Sequence, residues 1–339
     1  MKVLAVLAFL AMTSANIHDR AYYEEKFFNW IKEHNMVAES GSHFVHMLQN
    51  FANNDDLIET HNAGNHTYQL GHNKFSHMNQ DEWRAFVRQG LLKPELNEAP
   101  ANIHPEPADV SALPASVDWV DSGAVTGVKD QGQCGSCWSF STTGALEGAY
   151  KLKYGKLESW SEQHLVDCDN HKNGGKDMGC NGGLMDNAFA WIKSNKGICT
   201  ESAYPYVSGT TKTAGTCAES SCTKNANIAP QSYTDVTKNS DSAMMSALAK
   251  QPVSVAIEAD KASFQLYKSG VYSDASCGTT LDHGVLAVGY GTMNGQDYYR
   301  VKNSWGTSWG DKGYIYMARG VSGAGQCGIL SGPPSYPNL

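Results

Sequence analysis

Apolar positions in the first third of the chain recur at three- and four-residue steps. Tyr22, Tyr23, Phe27, Trp30 and Ile31 share one helical face, and a second run from Glu39 through Leu57 to Ile58 repeats the pattern until Asn62-Ala63-Gly64. A further helix is predicted from near Ser136 to Lys153, closed by Gly155, with Ala145, Leu146, Ala149 and Leu152 turned inward. Toward the C-terminus the period changes. The short runs VSVAIEA, GVLAVGY, DYYRVKNSW and GYIYMAR, separated by glycine-rich turns, read as strands. Helices followed by strands predict an α+β body with two subdomains. The apolar run from Val3 to Met12 behind Lys2, with small residues at Thr13 and Ala15, predicts a secretory signal peptide cut after Ala15. It is too short to cross a bilayer.

Export changes how the nine cysteines are read. In an oxidising compartment eight can pair and one is left over, either for an intermolecular link or as a thiol kept for chemistry. All nine follow residue 130, whereas nine of the twelve histidines precede residue 113. Between these regions, Lys93 to Pro114 is proline-rich and predicted to be extended and open to proteases. The 41% hydrophobic and 18% charged residues are the balance of a globular chain. A net charge of −8 without any basic run excludes a nucleic-acid binder.

The densest chemical signal is Gln131-Gly-Gln-Cys134-Gly-Ser-Cys137-Trp138. A cysteine in the first turn of a helix feels the positive end of the helix dipole, which favours the thiolate. Sulfur-based acyl transfer also needs an imidazole, a group to orient it, and donors for an oxyanion. Leu281-Asp282-His283-Gly284 supplies a histidine at the start of a strand, and Lys302-Asn303-Ser304-Trp305-Gly306 an amide beside an indole. His283 lies 146 residues beyond Cys137, inside the interval of about 130–150 that accompanies a Cys-Gly-Ser-Cys-Trp nucleophile. A redox Cys-x-x-Cys would instead predict a small βαβ fold with no use for Asn303 or Gln131. A structural zinc site lacks its second ligand pair. Of the remaining histidines, His164 reads as a solvent or packing residue and His171 as loop.

With these motifs in place, residues 16 to 339 resemble a papain-family cysteine peptidase precursor of the cathepsin L type. The resemblance implies a papain-like fold, a helical left part and a β-barrel-like right part, preceded by a mainly helical inhibitory prosegment. Its divisions would be a signal peptide (1–15), a propeptide (16–112) and a mature peptidase (113–339). It implies Cys137 as nucleophile, His283 as acid and base, Asn303 as the group orienting the ring, and Gln131 as oxyanion donor. Trp305 would shield the His–Asn hydrogen bond and stand with the substrate-side residues. Those are Gly182 and Gly183 for the substrate backbone, and Leu184, Met185, Ala256 and Leu281 around a pocket with Gly332 at its base. No acidic residue stands at that base, so a hydrophobic residue is expected at P2, the position before the one whose carbonyl is cleaved. With no paired-histidine insertion of the occluding-loop kind, an endopeptidase is implied.

The same resemblance pairs Cys134 with Cys180 and Cys277 with Cys327. Cys168–Cys217 with an additional Cys199–Cys222 bridge is favoured, the swapped arrangement being the alternative. Cys137 then remains free. No cofactor or metal is implied. The implied partners are protein and peptide substrates, the chain's own propeptide and cystatin-type inhibitors, with a monomer as the default. The compartment is the secretory pathway, ending in a lysosome-like organelle or the extracellular, digestive space. A catalytically silent peptide-binding homologue is the alternative, against which the complete set Gln131, Cys137, His283 and Asn303 argues.

In the prosegment, Phe51, Asn54, Ile58 and Asn62 match the family's long-helix motif, and Gly71, Asn73 and Phe75 the next one. His43, Met47 and His77 stand where Glu, Arg and Asp are usual, removing salt bridges. The histidine excess suggests that acidification loosens the prosegment, since imidazoles gain charge between pH 7 and 5. Asn65-His66-Thr67 is a glycosylation sequon within it.

Overall fold

The computed structural model describes residues 16–93, 102–332 and 334–339. The expected signal peptide and the middle of the linker lie outside these residues. Helices α1 (Arg20–His34) and α2 (Gly41–Asn62) form the first unit, each started by a side-chain cap, Asp19 and Ser40. Tyr23, Phe27, Trp30, Met47, Leu48 and Phe51 form its apolar core, with Phe27 stacked on Trp30. Met47 is thus a core residue of this unit. Strand β1 (Tyr68–Leu70) and helix α3 (Gln80–Val87) follow, the latter opened by a capping box between Asn79 and Glu82. Next come β2 (Ile103–His104) and β3 (Val117–Asp118).

The body opens on α4 (Cys137–Tyr154), closed by Gly155 in the left-handed conformation, with α5 (Glu162–Cys168) and α6 (Met185–Ser194) packed on it. The sheet part consists of β4 (Ser232–Val236), β5 (Val253–Ile257), β6 (Tyr267–Tyr272), β7 (His283–Met293), β8 (Gln296–Lys302), β9 (Tyr314–Ala318) and β10 (Ser335–Asn338). Strand order is β1-β6-β9-β8-β7-β5-β10-β4-β2, with β3 on β7. One apolar core lies around α4, α5 and α6, and a second fills the sheet part. The cleft between them carries the site.

Two expectations need correction. Leu152 is 43% exposed, because the last turn of α4 runs past the body and its inward face ends at Ala149 and Tyr150. The linker is not wholly free either. Ile103 and His104 pair in parallel with Asp235 and Val236, so residues from before position 113 supply both ends of the sheet, β1 and β2. His104 is buried there, its ring nitrogens 2.9 Å from the Tyr336 hydroxyl and 3.0 Å from Ser246 Oγ. The disulfides join Cys134 to Cys180, Cys168 to Cys217, Cys199 to Cys222 and Cys277 to Cys327, leaving Cys137 as the free thiol.

Candidate active site

Cys137 opens α4 because Ser136 leaves the helical conformation just before it. Its sulfur faces the N-terminal end of the helix and accepts the Gly284 N–H at 3.3 Å. Gly284 follows His283 at the head of β7, so the β5–β7 pairing that aligns Ile257 with His283 also brings the imidazole beside the helix. His283 Nε2 lies 2.8 Å from Asn303 Oδ1, which also accepts the Ser304 N–H. Nε2 must therefore carry its hydrogen, leaving Nδ1 as the free base. Trp305 stacks on the imidazole at 4.4 Å and 18°. On its other sides the indole meets Phe75 and Trp83 of the prosegment. It stands over the histidine, apart from the apolar pocket. Gln131 is held by two bonds: Oε1 accepts from Ser304 Oγ at 2.7 Å, and Nε2 donates to the Cys134 carbonyl at 2.9 Å.

Residues 89–93 run through the cleft above this group. The Cys137 thiol donates to the Gly90 carbonyl oxygen at 3.3 Å, Leu91 pairs in parallel with Gly183, and the Leu92 N–H meets the Gly183 carbonyl at 3.2 Å. A Cβ on Gly90 would lie 2.4 Å from the sulfur, so only glycine allows this approach. Upstream, Asn73 and Gln265 exchange amide bonds with each other's segments, and the Trp83 indole donates to the Ala259 carbonyl. The cover has an electrostatic consequence. Burial pushes the Cys137 thiol up to about 12 despite the Gly284 N–H, and burial pushes His283 down to about 4 despite Asn303. Thiol and imidazole are thus both neutral under the prosegment, although the helix dipole by itself favours the thiolate.

Beside the Gly182–Gly183 strand lies an apolar cavity of about 310 Å³. Leu184, Met185, Ala256, Leu281 and Gly332 line it, together with Leu91, Leu92 and Lys93 of the prosegment. A Cβ on Gly332 would meet Leu281 Cδ1 at 2.7 Å, so this glycine keeps the base open. Sequence reasoning missed Thr280 and Asp186 on the same wall. Asp186 directly follows Met185 in the first turn of α6 and could have been found from that adjacency. Burial, then repulsion from Asp235, pushes its carboxyl up to about 7. In acid the carboxyl on this wall is therefore neutral, and the one charge on the lining is the ammonium of Lys93 in the prosegment. His164, by contrast, is fully buried, accepting the Cys199 N–H and stacked on Tyr204, a packing residue away from the cleft.

Comparison with known families matches the papain family cysteine protease domain over residues 113–336 and the cathepsin propeptide inhibitor domain (I29) over residues 27–83. Among curated proteins, the senescence-specific cysteine protease SAG39 of Oryza sativa subsp. japonica is 42% identical, across 99% of this chain and 97% of its own. Among solved structures, the recombinant stem bromelain precursor superposes with a TM-score of 0.81 at 41% identity, covering 94% of this chain and 99% of its own. Digestive procathepsin L 3 from the larval midgut of Tenebrio molitor gives 0.79 at 38% identity, again over 94% and 99%.

Proposed function

The chain belongs to the papain family of cysteine proteases and is a zymogen carrying its own inhibitory propeptide, and from that premise we propose a cathepsin L-type endopeptidase with Cys137 as nucleophile. The observation that carries the assignment is the Asn303–His283 hydrogen bond beside a lone thiol at a helix N-terminus. Once the prosegment leaves, water returns to the site. The cost of charge falls, and the helix N-terminus with the Gly284 N–H favours the thiolate while His283 takes its proton. The thiolate adds to the substrate carbonyl carbon. The oxygen's negative charge meets the Cys137 N–H and Gln131 Nε2. The C–N bond then breaks as His283 gives its proton to the departing amine. Water, losing a proton to His283, adds to the thioester carbonyl; the C–S bond breaks, the acid leaves, and the thiolate is restored beside protonated His283.

The path of the prosegment, parallel to Gly183, supports its survival in the cleft. It turns the Gly90 carbonyl oxygen, not its carbon, toward the sulfur. Cleavage is proposed near Leu113-Pro114, beside the exposed turn Val110–Ala112, after export by a signal peptide of residues 1–15. The glycan expected on exposed Asn65 would leave with the propeptide. The cavity supports Leu, Phe or Val at P2. At about pH 5, where histidines gain charge, the matured protein is expected to cleave a Phe-Arg reporter, and one thiol-directed epoxide adduct on Cys137 should abolish this. A P2 arginine peptide without the aromatic neighbour should be at least about tenfold poorer. Parity between the two would defeat the pocket assignment, and a matured but unlabelled, inactive protein would point to a silent binding homologue.

Acid triggering is proposed for a subset of the prosegment histidines. Burial holds His34, His61, His77 and His104 below the ordinary value. Around His77 stand the Lys74 carbonyl, Glu82, His43 and His34. A histidine with a depressed value in the docked state stabilises docking above its free value, near 6.5, and loses that contribution as the pH falls toward the depressed one. His72 Nε2 lies 2.8 Å from Asp55 Oδ1 and His46 Nε2 2.7 Å from Glu82 Oε1, so these two rings already have carboxylate partners within the prosegment. His77→Gln combined with His104→Gln should move half-maximal activation to lower pH by about half a unit. An unmoved profile would reject these two as triggers.

A further inference from the structure

The loop between α5 and α6 contains a buried carboxyl pair for which the proposed chemistry has no use. Asp169 is fully buried and Asp177 is 1% exposed. Asp177 Oδ1 accepts the Leu184 N–H at 3.0 Å and the Asn187 side-chain amide at 2.9 Å. A Cβ on Gly183 would lie 2.4 Å from the Trp138 indole and 2.8 Å from the Asp177 carboxyl carbon, so indole and carboxyl together form the floor beneath that residue. Above it, the Gly183 carbonyl receives the Leu92 N–H of the prosegment. The other face of the loop is fixed by Met178 N–H to the Gly182 carbonyl at 2.9 Å and by the Cys134–Cys180 bridge.

We propose that Asp177, steadied by Asp169, is a positioning residue that sets the height of the Gly182–Gly183 strand for binding an extended backbone. The occupant is the prosegment in the precursor and the substrate in the mature enzyme, the second part resting on the peptidase reading above. Two adjoining buried carboxyls do not both ionise. Burial, then repulsion from Asp177, holds Asp169 up to about 10, while Asp177 lies near 6, raised by burial and opposed by Asn187 and Asp169. Asp169 thus keeps its proton and offers it to Asp177, whose remaining acceptor sites face Leu184 and Asn187. His171 and Asp186 are the other titratable side chains that face Asp177. An acceptor under a strand that must present its own carbonyl outward fixes that strand without competing for its ligand.

The test compares Asp177→Ala, Asp177→Asn and Asp169→Asn in the matured enzyme. Losing the acceptor should raise KM for a peptide spanning P3 to P1 about five- to twentyfold, with kcat within about twofold, the pattern of lost uniform binding. Inhibition by the isolated 16–112 prosegment should weaken by a similar factor. Asp177→Asn, which still offers Oδ1 to Leu184, and Asp169→Asn, which still donates, should stay within about threefold of the parent. Cys137 alkylation by iodoacetamide, too small to reach the strand, should keep its rate. A parallel fall in alkylation, or an unchanged KM in a folded Asp177→Ala, would overturn the proposal. Should Asp177→Ala not fold, Asn187→Ala removes one of the two bonds and should give a smaller KM rise, no rise again overturning it. A parent that binds the prosegment without turning over peptide would refute the peptidase reading instead, leaving prosegment affinity to decide this one.

Discussion

Cys137→Ala is expected to lower kcat/KM by about a millionfold, because removing the nucleophile from a set that acts as a unit costs nearly what removing the whole set does. Measured on the precursor in acid, the same change should leave a full-length chain with no free thiol. Four disulfides account for every other cysteine. The prosegment should bind more tightly rather than less. In the parent, Gly90 approaches the sulfur so closely that nothing fits between them, and the buried thiol contributes only a weak hydrogen bond there. Residual activity above about a thousandth of the parent would show that another group carries out the attack.

Lys129→Met is expected to destabilise the body by about 3–5 kcal/mol, the cost of leaving buried carboxylates without their cation. Lys129 Nζ lies 2.6 Å from Glu162 Oε1 and 3.1 Å from Glu147 Oε1, and both glutamates are 1% exposed. Glu147 also accepts Thr126 Oγ1 and the Trp160 N–H, and Glu162 accepts Thr143 Oγ1. Burial pushes nearby Lys302 down to about 8 although Glu147 attracts it, so this second lysine is a weak substitute for the first. The cluster ties α4 to α5 behind the nucleophile. Urea unfolding of the Cys137→Ala precursor, which cannot digest itself, measures the loss. Adding Glu147→Gln and Glu162→Gln to Lys129→Met should recover part of it. A loss below about 1 kcal/mol would mean that water already screens the cluster.

The residues proposed for the chemistry were legible because each stands in a short motif with its own local reason. Cys137 begins a helix, His283 begins a strand, and Asn303 precedes an indole. Periodicity likewise located α1, α2 and α4 and the strands β5, β7, β8 and β9, since period reports the face that a single element buries. It failed at Leu152, where an element outruns the surface it packs on, and at Asp186, an acid beside a pocket drawn as apolar.

By itself, then, the sequence determined the disulfide-bonded α+β body, the lone thiol, and a cysteine-free helical segment ahead of it. Tertiary structure alone decided that this segment and its linker supply both ends of the sheet, that Gly90 seals the sulfur, and that the buried Asp177 carboxyl lies beneath Gly183. The charge state of the site belongs to the second group. A thiol pushed up to about 12 and an imidazole down to about 4 follow from desolvation by a segment far away in the chain. Local pattern records what a residue is and which way it faces. Only the folded chain determines what removes it from water.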